Sequence, residues 1–283
     1  MLRLILPLVL LLFTGCASML FFPTRVLYSD PANYGLTFEE VHFSSYDGTP
    51  LYGWFFHHKN KSHPTKAVIF YAHGNGQNIS AQFGNIAFVL EEDYDYFVFD
   101  YRGYGSSGGN RPVPREAVGD TIAALRWADA RAKHDRVPMI ALGQSLGTAL
   151  MLRALIEEKA TIHPKLIVLD SPFLSYSWAA ASVLSQHWLT TPLQPFAFLL
   201  ITDEWAPGER IRELAPTPIL IFHGEKDHMI DIRLGQKTYD AALSPKEFVR
   251  VPNAGHIQSF WVSDFPKYRD ILFARMDAAA KSE

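Results

Sequence analysis

Gly143-Gln144-Ser145-Leu146-Gly147 is the segment of this sequence best suited to chemistry. It follows an apolar run at 139–142 and precedes a helical stretch at 148–158. In a G-x-S-x-G pattern between strand and helix, a sharp turn holds the serine in a strained backbone conformation with its hydroxyl projecting. The glycines omit side chains that would collide with the adjoining strand and helix. The helix starts at the serine, so its N-terminal dipole favours an oxyanion developing there. Ser145 is therefore read as a nucleophile. A serine hydroxyl is weak alone and needs a base that is itself held by an acid. Two downstream loops supply both. His223-Gly224-Glu225-Lys226-Asp227 follows an apolar run at 219–222, and Pro252-Asn253-Ala254-Gly255-His256 follows one at 248–251. Asp227 and His256 thus lie just past strands, on the same side as Ser145. Asp170, closing the run at 166–169, is the alternative acid.

Other candidates read differently. His228 adjoins Asp227 but precedes the last strand and would face the wrong way. His57 and His58 fall at a hairpin end without a carboxylate or thiolate beside them in sequence, so a solvated pair is expected rather than a metal site. Asp231 reads as a helix N-cap, and His73 as a hydrogen bonder that fastens its own loop.

Elements that can position these residues are legible in the apolar pattern. Strand-like runs at 39–44 and 51–57 flank Asp47-Gly48, the signature of a hairpin. Beyond it, continuous apolar runs at 67–72, 96–99, 139–142, 166–169, 219–222 and 248–251 alternate with helical stretches. Continuous apolarity implies strands buried on both faces, hence a parallel sheet. The clearest helix spans 117–132, with Val118, Ile122 and Leu125 on one stripe and Asp120 and Arg126 off it. The reading is a mostly parallel, doubly wound α/β sheet behind an N-terminal antiparallel hairpin. Nearly fifty residues separate the runs at 166–169 and 219–222, more than a simple crossover needs. A small helical cap at about 171–217 is expected there, over the carboxyl ends of the strands. Its Phe173, Trp178, Trp188, Phe196, Phe198 and Trp205 either line an acyl slot or pack the cap onto the core, and 196–201 could equally be a buried helix or touch a membrane.

Composition narrows the function. The 283 residues carry 26 Lys+Arg and 29 Asp+Glu, a formal charge of −3, which argues against a nucleic-acid partner. With 48% hydrophobic and 13% aromatic residues, a substantial core can form. The single cysteine excludes an internal disulfide and any zinc site built on several thiolates. That cysteine, Cys16, follows a basic start at Arg3 and a ten-residue apolar stretch at 4–13, too short to span a bilayer comfortably. The segment resembles a bacterial lipoprotein signal, with Phe13-Thr14-Gly15-Cys16 as the lipobox, although Phe13 stands where Leu is usual. The resemblance implies a signal peptide at 1–15 and lipid on the Cys16 thiol. A lipidated N-terminus and linker would occupy 16–33 and the catalytic domain 34–283. In a Gram-negative cell the protein would sit at the outer membrane, facing the periplasm.

Four ordered pieces carry a second resemblance: His73-Gly74-Asn75-Gly76, then Asp100-Tyr101-Arg102-Gly103-Tyr104-Gly105-Ser106-Ser107-Gly108, the Ser145 motif, and the Asp227 and His256 loops. Together they resemble the α/β-hydrolase superfamily, in its serine aminopeptidase-like and monoacylglycerol-lipase-like branch, which also includes eukaryotic depalmitoylating hydrolases. The resemblance covers about 41–273. Its chain order of Ser, acid, His favours Asp227 over Asp170. It implies oxyanion donors at the backbone N–H groups of Leu146 and Asn75, no metal or organic cofactor, and a small-molecule acyl ester or thioester as substrate. An aminopeptidase or amidase would use the same triad, and a free-amine substrate would need cap acids such as Asp203 or Glu204. A non-catalytic envelope binding protein on the same fold is the remaining alternative.

Overall fold

A computed structural model describes residues 17–281 of the chain. The expected signal segment and Cys16 lie outside these residues. Eight strands form one sheet: β1 (Phe38–Ser44), β2 (Pro50–Phe56), β3 (Ala67–Ala72), β4 (Tyr94–Asp100), β5 (Met139–Gln144), β6 (Leu166–Asp170), β7 (Ile219–Gly224) and β8 (Lys246–Val251). Their spatial order is β1-β2-β4-β3-β5-β6-β7-β8. The hairpin β1–β2 and the pair β2–β4 are antiparallel, and every other pair is parallel. Each expected run is a strand, most extending a residue or two further than the apolar pattern.

Side chains alternate across β3. Val68, Phe70 and Ala72 enter one apolar layer, while Ala67, Ile69 and Tyr71 enter the other. Burial on both faces is why the run is continuously apolar. Helices α2 (Pro114–Asp135) and α3 (Leu146–Glu157) cover the first face, and α7 (Phe265–Lys281) the second. The four-residue α1 (Ile79–Gln82) follows the β3 loop. Between β6 and β7 the expected cap contains α4 (Tyr176–Leu184) and α5 (Gln194–Leu200), and α6 (Ile232–Ala241) follows β7 with Asp231 as its N-cap.

This order determines where the loops meet. The chain starts its parallel part at β3, whose neighbours are β4 and β5. The turns after β3 and β5 are therefore adjacent, with Ala72 opposite Gly143. Strands β7 and β8 are also neighbours, so the loops bearing Asp227 and His256 emerge side by side.

Three local expectations need correction. The linker expected within 16–33 packs against the body instead: Phe21 is fully buried, and residues 20–28 are hydrogen-bonded along the loops after β3 and β4. Its apolar side chain and free backbone groups find partners there. Asp120, expected off the buried stripe of α2, is buried and takes a forked contact from Arg102, with Ser45 donating to it at 2.6 Å. Helical periodicity cannot reveal a charge that is buried because an arginine comes with it. His58, expected to be solvated, is buried against Asp95 with Nδ1 2.7 Å from Oδ1, while His57 meets Glu39 at 2.7 Å. The carboxylates come from other strands, which local sequence cannot show.

Candidate active site

Ser145 sits between β5 and α3 with φ 51° and ψ −122°. The left-handed φ is a strained conformation for a residue with a Cβ. Close packing enforces it. A methyl group at Gly147 would overlap the carbonyl oxygens of Ala72 and His73, and one at Gly143 would lie 2.9 Å from Thr148 Cα. The Ser145 N–H donates to the Asp170 carbonyl at 2.9 Å, tying the turn to β6. Ser145 keeps only 7% of its surface exposed, so its hydroxyl is recessed rather than solvated.

The two residues expected as base and acid converge on it. His256 Nε2 lies 2.9 Å from Ser145 Oγ, and His256 Nδ1 lies 2.8 Å from Asp227 Oδ2. The other Asp227 oxygen accepts the N–H groups of Met229 and Ile230, each at 2.9 Å. Burial alone would raise the Asp227 carboxyl, but contacts with His223 and His256 and these amides outweigh it and hold the group well below the usual carboxylate range. Asp227 is thus a fixed negative charge against the imidazole.

Asp170 has other partners. Its oxygens accept from Gln144 Nε2 at 3.0 Å and Ser259 Oγ at 2.7 Å. Burial raises its carboxyl above the ordinary value. Gln144 Oε1 in turn accepts from the Tyr71 hydroxyl at 2.5 Å and Asn85 Nδ2 at 3.1 Å. This buried network joins the strand of the nucleophile to the loop of His256. Ser171, also at positive φ (55°), accepts the Ile257 N–H at 3.3 Å and fastens the same loop. Gln144, Ser171 and Ser259 escape sequence reasoning, because single polar residues give no signal until the fold surrounds them. The pattern places Gln144 at a variable position of the motif, the only hint available.

The loop after β3 lies against the nucleophile. A methyl on Gly74 would be 3.5 Å from Ser145 Cβ. Leu146 is the first residue of α3, so its N–H has no partner within the helix. His73 Nδ1 donates to the Gly74 carbonyl at 2.8 Å, the loop-fastening contact expected, and burial pushes its imidazole down to about 4. His228 is exposed and outside the cluster. Among the described residues no group of three or more His, Cys, Asp or Glu side chains could hold a metal.

The cap aromatics divide. Phe173 is buried and Trp205 packs on the core beneath the Arg153 guanidinium, 4.6 Å from its ring. Trp178 and Phe198 meet edge to face at 4.9 Å but remain half exposed, as does Phe196, and Trp188 is 81% exposed. The stretch at 196–201 is no buried helix: Phe196, Phe198, Leu199 and Leu200 face solvent. A hollow of about 550 Å³ lies between cap and α6, lined by Leu174, Trp178, Leu234 and Lys237, and contains none of the triad positions. Asp203 accepts from Ser175 Oγ, Ser177 Oγ and Ser177 N, so its carboxylate caps α4.

Such an arrangement can transfer a proton from a hydroxyl to an imidazole that a carboxylate holds, and place the resulting alkoxide at a helix N-terminus. Known proteins agree with this architecture. A family described as serine aminopeptidase, S33, matches residues 63–210. The protein YfhR of Salmonella typhimurium is 31% identical over 270 residues, covering 90% of this chain and 88% of its own. Lysophosphatidylserine lipase ABHD12 of Gallus gallus is 30% identical over 205 residues, covering 69% of this chain and 51% of its own. The solved esterase Pf2001 of Pyrococcus furiosus superposes with a TM-score of 0.69 at 20% identity, covering 91% of this chain and 96% of that one. The chain belongs to the serine aminopeptidase S33 family, a family of hydrolases within the α/β-hydrolase superfamily.

Proposed function

We propose that this protein is a serine hydrolase that cleaves a carboxylic ester or thioester through an acyl-enzyme on Ser145. The observation that carries the reading is the unbroken series Ser145 Oγ, His256, Asp227, with contacts of 2.9 and 2.8 Å. Ser145 Oγ attacks the substrate carbonyl carbon while His256 Nε2 takes its proton. The backbone N–H groups of Leu146 and Asn75 receive the oxyanion of the tetrahedral adduct. Collapse of the adduct breaks the bond to the leaving group, which takes the proton from His256. Water then attacks the acyl-enzyme, His256 removing one of its protons and returning it to Ser145. Asp227 keeps the imidazole in the tautomer that offers Nε2 to the serine.

An ester fits better than a free-amine peptide. Asp203, one of the two cap acids that an ammonium group would need, is occupied by two serines and a backbone N–H. The ester and lipase activities named for the esterase of Pyrococcus furiosus and the lipase of Gallus gallus point the same way. The same reading takes the protein to a bacterial envelope through lipid on Cys16, the chain's only thiol. Only three residues separate Cys16 from Leu20, a reach of at most about 14 Å, and the Leu20 carbonyl bonds to the loop beside Ser145. Lipid substrates are therefore within easy reach of the site.

Purified protein treated with a fluorophosphonate should be labelled at Ser145. A panel of acyl-chain esters, thioesters and aminoacyl amides then ranks the chemistry, and absence of both label and ester turnover refutes the reading. Labelled fatty acid fed to a bacterial host should enter the wild-type protein and not Cys16→Ser, and the mature N-terminus should be Cys16.

A further inference from the structure

The loop bearing Asn75 is held from two sides. On one side Gln82 spans it. Its Oε1 accepts from Gly74 N at 3.0 Å, and its Nε2 donates to the carbonyls of Gly74 at 3.2 Å and Gly76 at 2.8 Å. On the other side lies the segment at 20–25. The Asn75 side chain is where they join. Its Oδ1 accepts from Phe22 N at 3.0 Å, Gly76 N at 2.8 Å and the Tyr104 hydroxyl at 3.0 Å, and its Nδ2 donates to the Leu20 carbonyl at 2.6 Å. Leu20 and Phe22 thus grip both ends of one planar amide.

The gripping segment is itself fixed. The Phe21 side chain between these two contacts is fully buried. Arg25 donates to the carbonyls of Gly105, Ser107 and Gly109 at 3.0–3.3 Å. The Thr24 carbonyl accepts from Gly105 N at 2.9 Å and Asn78 Nδ2 at 3.0 Å, and Thr24 N donates to Gln77 at 3.3 Å.

We propose that residues 20–25 are a positioning strap for the oxyanion hole. By clamping the Asn75 side chain, the strap sets the direction of the Asn75 backbone N–H, so the rate of hydrolysis depends on a segment outside the sheet. The inference rests on the function proposed above and on Asn75 as an oxyanion donor. Negative charge gathers on the carbonyl oxygen only as the tetrahedral adduct forms, so a misdirected donor weakens the transition state more than substrate binding. A merely structural strap would alter stability and leave turnover alone.

The test uses the full-length chain and three variants. Phe22→Pro deletes the N–H that reaches Asn75 Oδ1. Phe22→Ala keeps that N–H and removes a ring that is 59% exposed. Asn75→Ala removes the clamped amide itself. Phe22→Pro and Asn75→Ala should lose about 10- to 100-fold in kcat with KM nearly unchanged. Affinity for a boronic acid that forms a tetrahedral adduct on Ser145 should fall by the same factor. Phe22→Ala should match wild type. Hydrogen exchange at residues 73–78 reports whether the loop was released. A released loop with wild-type kcat overturns the proposal. So does a rise in KM alone, or a loss in Phe22→Ala equal to that in Phe22→Pro. A wild-type protein with neither ester turnover nor a Ser145 adduct refutes the hydrolase reading first and takes the strap with it. A wild-type protein that turns over esters, with indifferent strap variants, refutes the strap only.

Discussion

At the carboxyl ends of β5, β6 and β7 the polar groups are enclosed and engaged: Gln144, Asp170 and His223 have no exposed surface, and Ser145 and Asp227 keep 7% each. A short distance along the chain, the cap shows the opposite. Trp188, Leu189, Leu199 and Phe196 are 81%, 67%, 62% and 52% exposed. The difference separates two tasks. Reactive geometry is held by parallel strands whose register cannot slip without inverting every side chain. The cap is anchored through Phe173, Tyr176, Ala179, Ala206, Ile211 and Leu214, with Trp205 partly buried beside them. The exposed apolar side chains of the cap take no part in the contacts that hold the triad.

The largest way to break this comparison is at the nucleophile. Ser145→Ala should reduce turnover on the order of a million-fold, with an unfolding midpoint close to wild type. Residual activity near wild type in the folded variant would remove the mechanism. At the acid, Asp227→Asn should lose about four orders of magnitude in kcat, because the wrong tautomer then faces the serine. Asp170→Asn should act mainly on stability, by about 1–3 kcal/mol in denaturant unfolding, since one of its two donors would meet an amide nitrogen. A larger kinetic effect from Asp170→Asn would reverse the assignment. Since the Asp227 carboxyl is held low, its contribution to stability is present above the unfolded value and is lost only as pH falls through the depressed one.

The cap should respond differently. Trp188→Ser with Phe196→Ser should leave stability within about 0.5 kcal/mol and short-ester turnover within about twofold. Turnover of long-chain esters should fall further. An equal loss on short and long esters would mean that the cap shapes the reactive site itself. The smallest effect concerns Asp100, at the end of β4. Burial pushes its carboxyl up to about 7, against the N–H groups of Ile79 and Ser106 and the charge of Arg25. Between the unfolded carboxylate value and about 7, the folded protein binds the extra proton. Its stabilising contribution is thus fully present in acid and lost as pH rises toward 7. Thermal unfolding across pH 4 to 7 should show this slope in wild type, and Asp100→Asn should flatten it.

Apolar runs and turn motifs in the sequence were sufficient for the hairpin, the six further strands, the cap insertion, Ser145 and His256, while the chain order of the resembling family was needed to prefer Asp227 over Asp170. Those features are local. A strand buried on both faces has to be continuously apolar, and a serine between strand and helix has to be flanked by small residues, so both leave a mark within a few positions. Contacts between distant segments leave none. Tertiary structure alone decided that Arg102 would bury Asp120, that Asp95 would take His58, and that Gln144, Asp170 and Ser259 would join beneath the nucleophile. It also decided that residues 20–28 would close on the Asn75 loop instead of trailing away. A polar side chain looks the same in sequence whether water or a buried partner satisfies it. Only the folded chain brings that partner within 3 Å, and burial then makes the pairing obligatory.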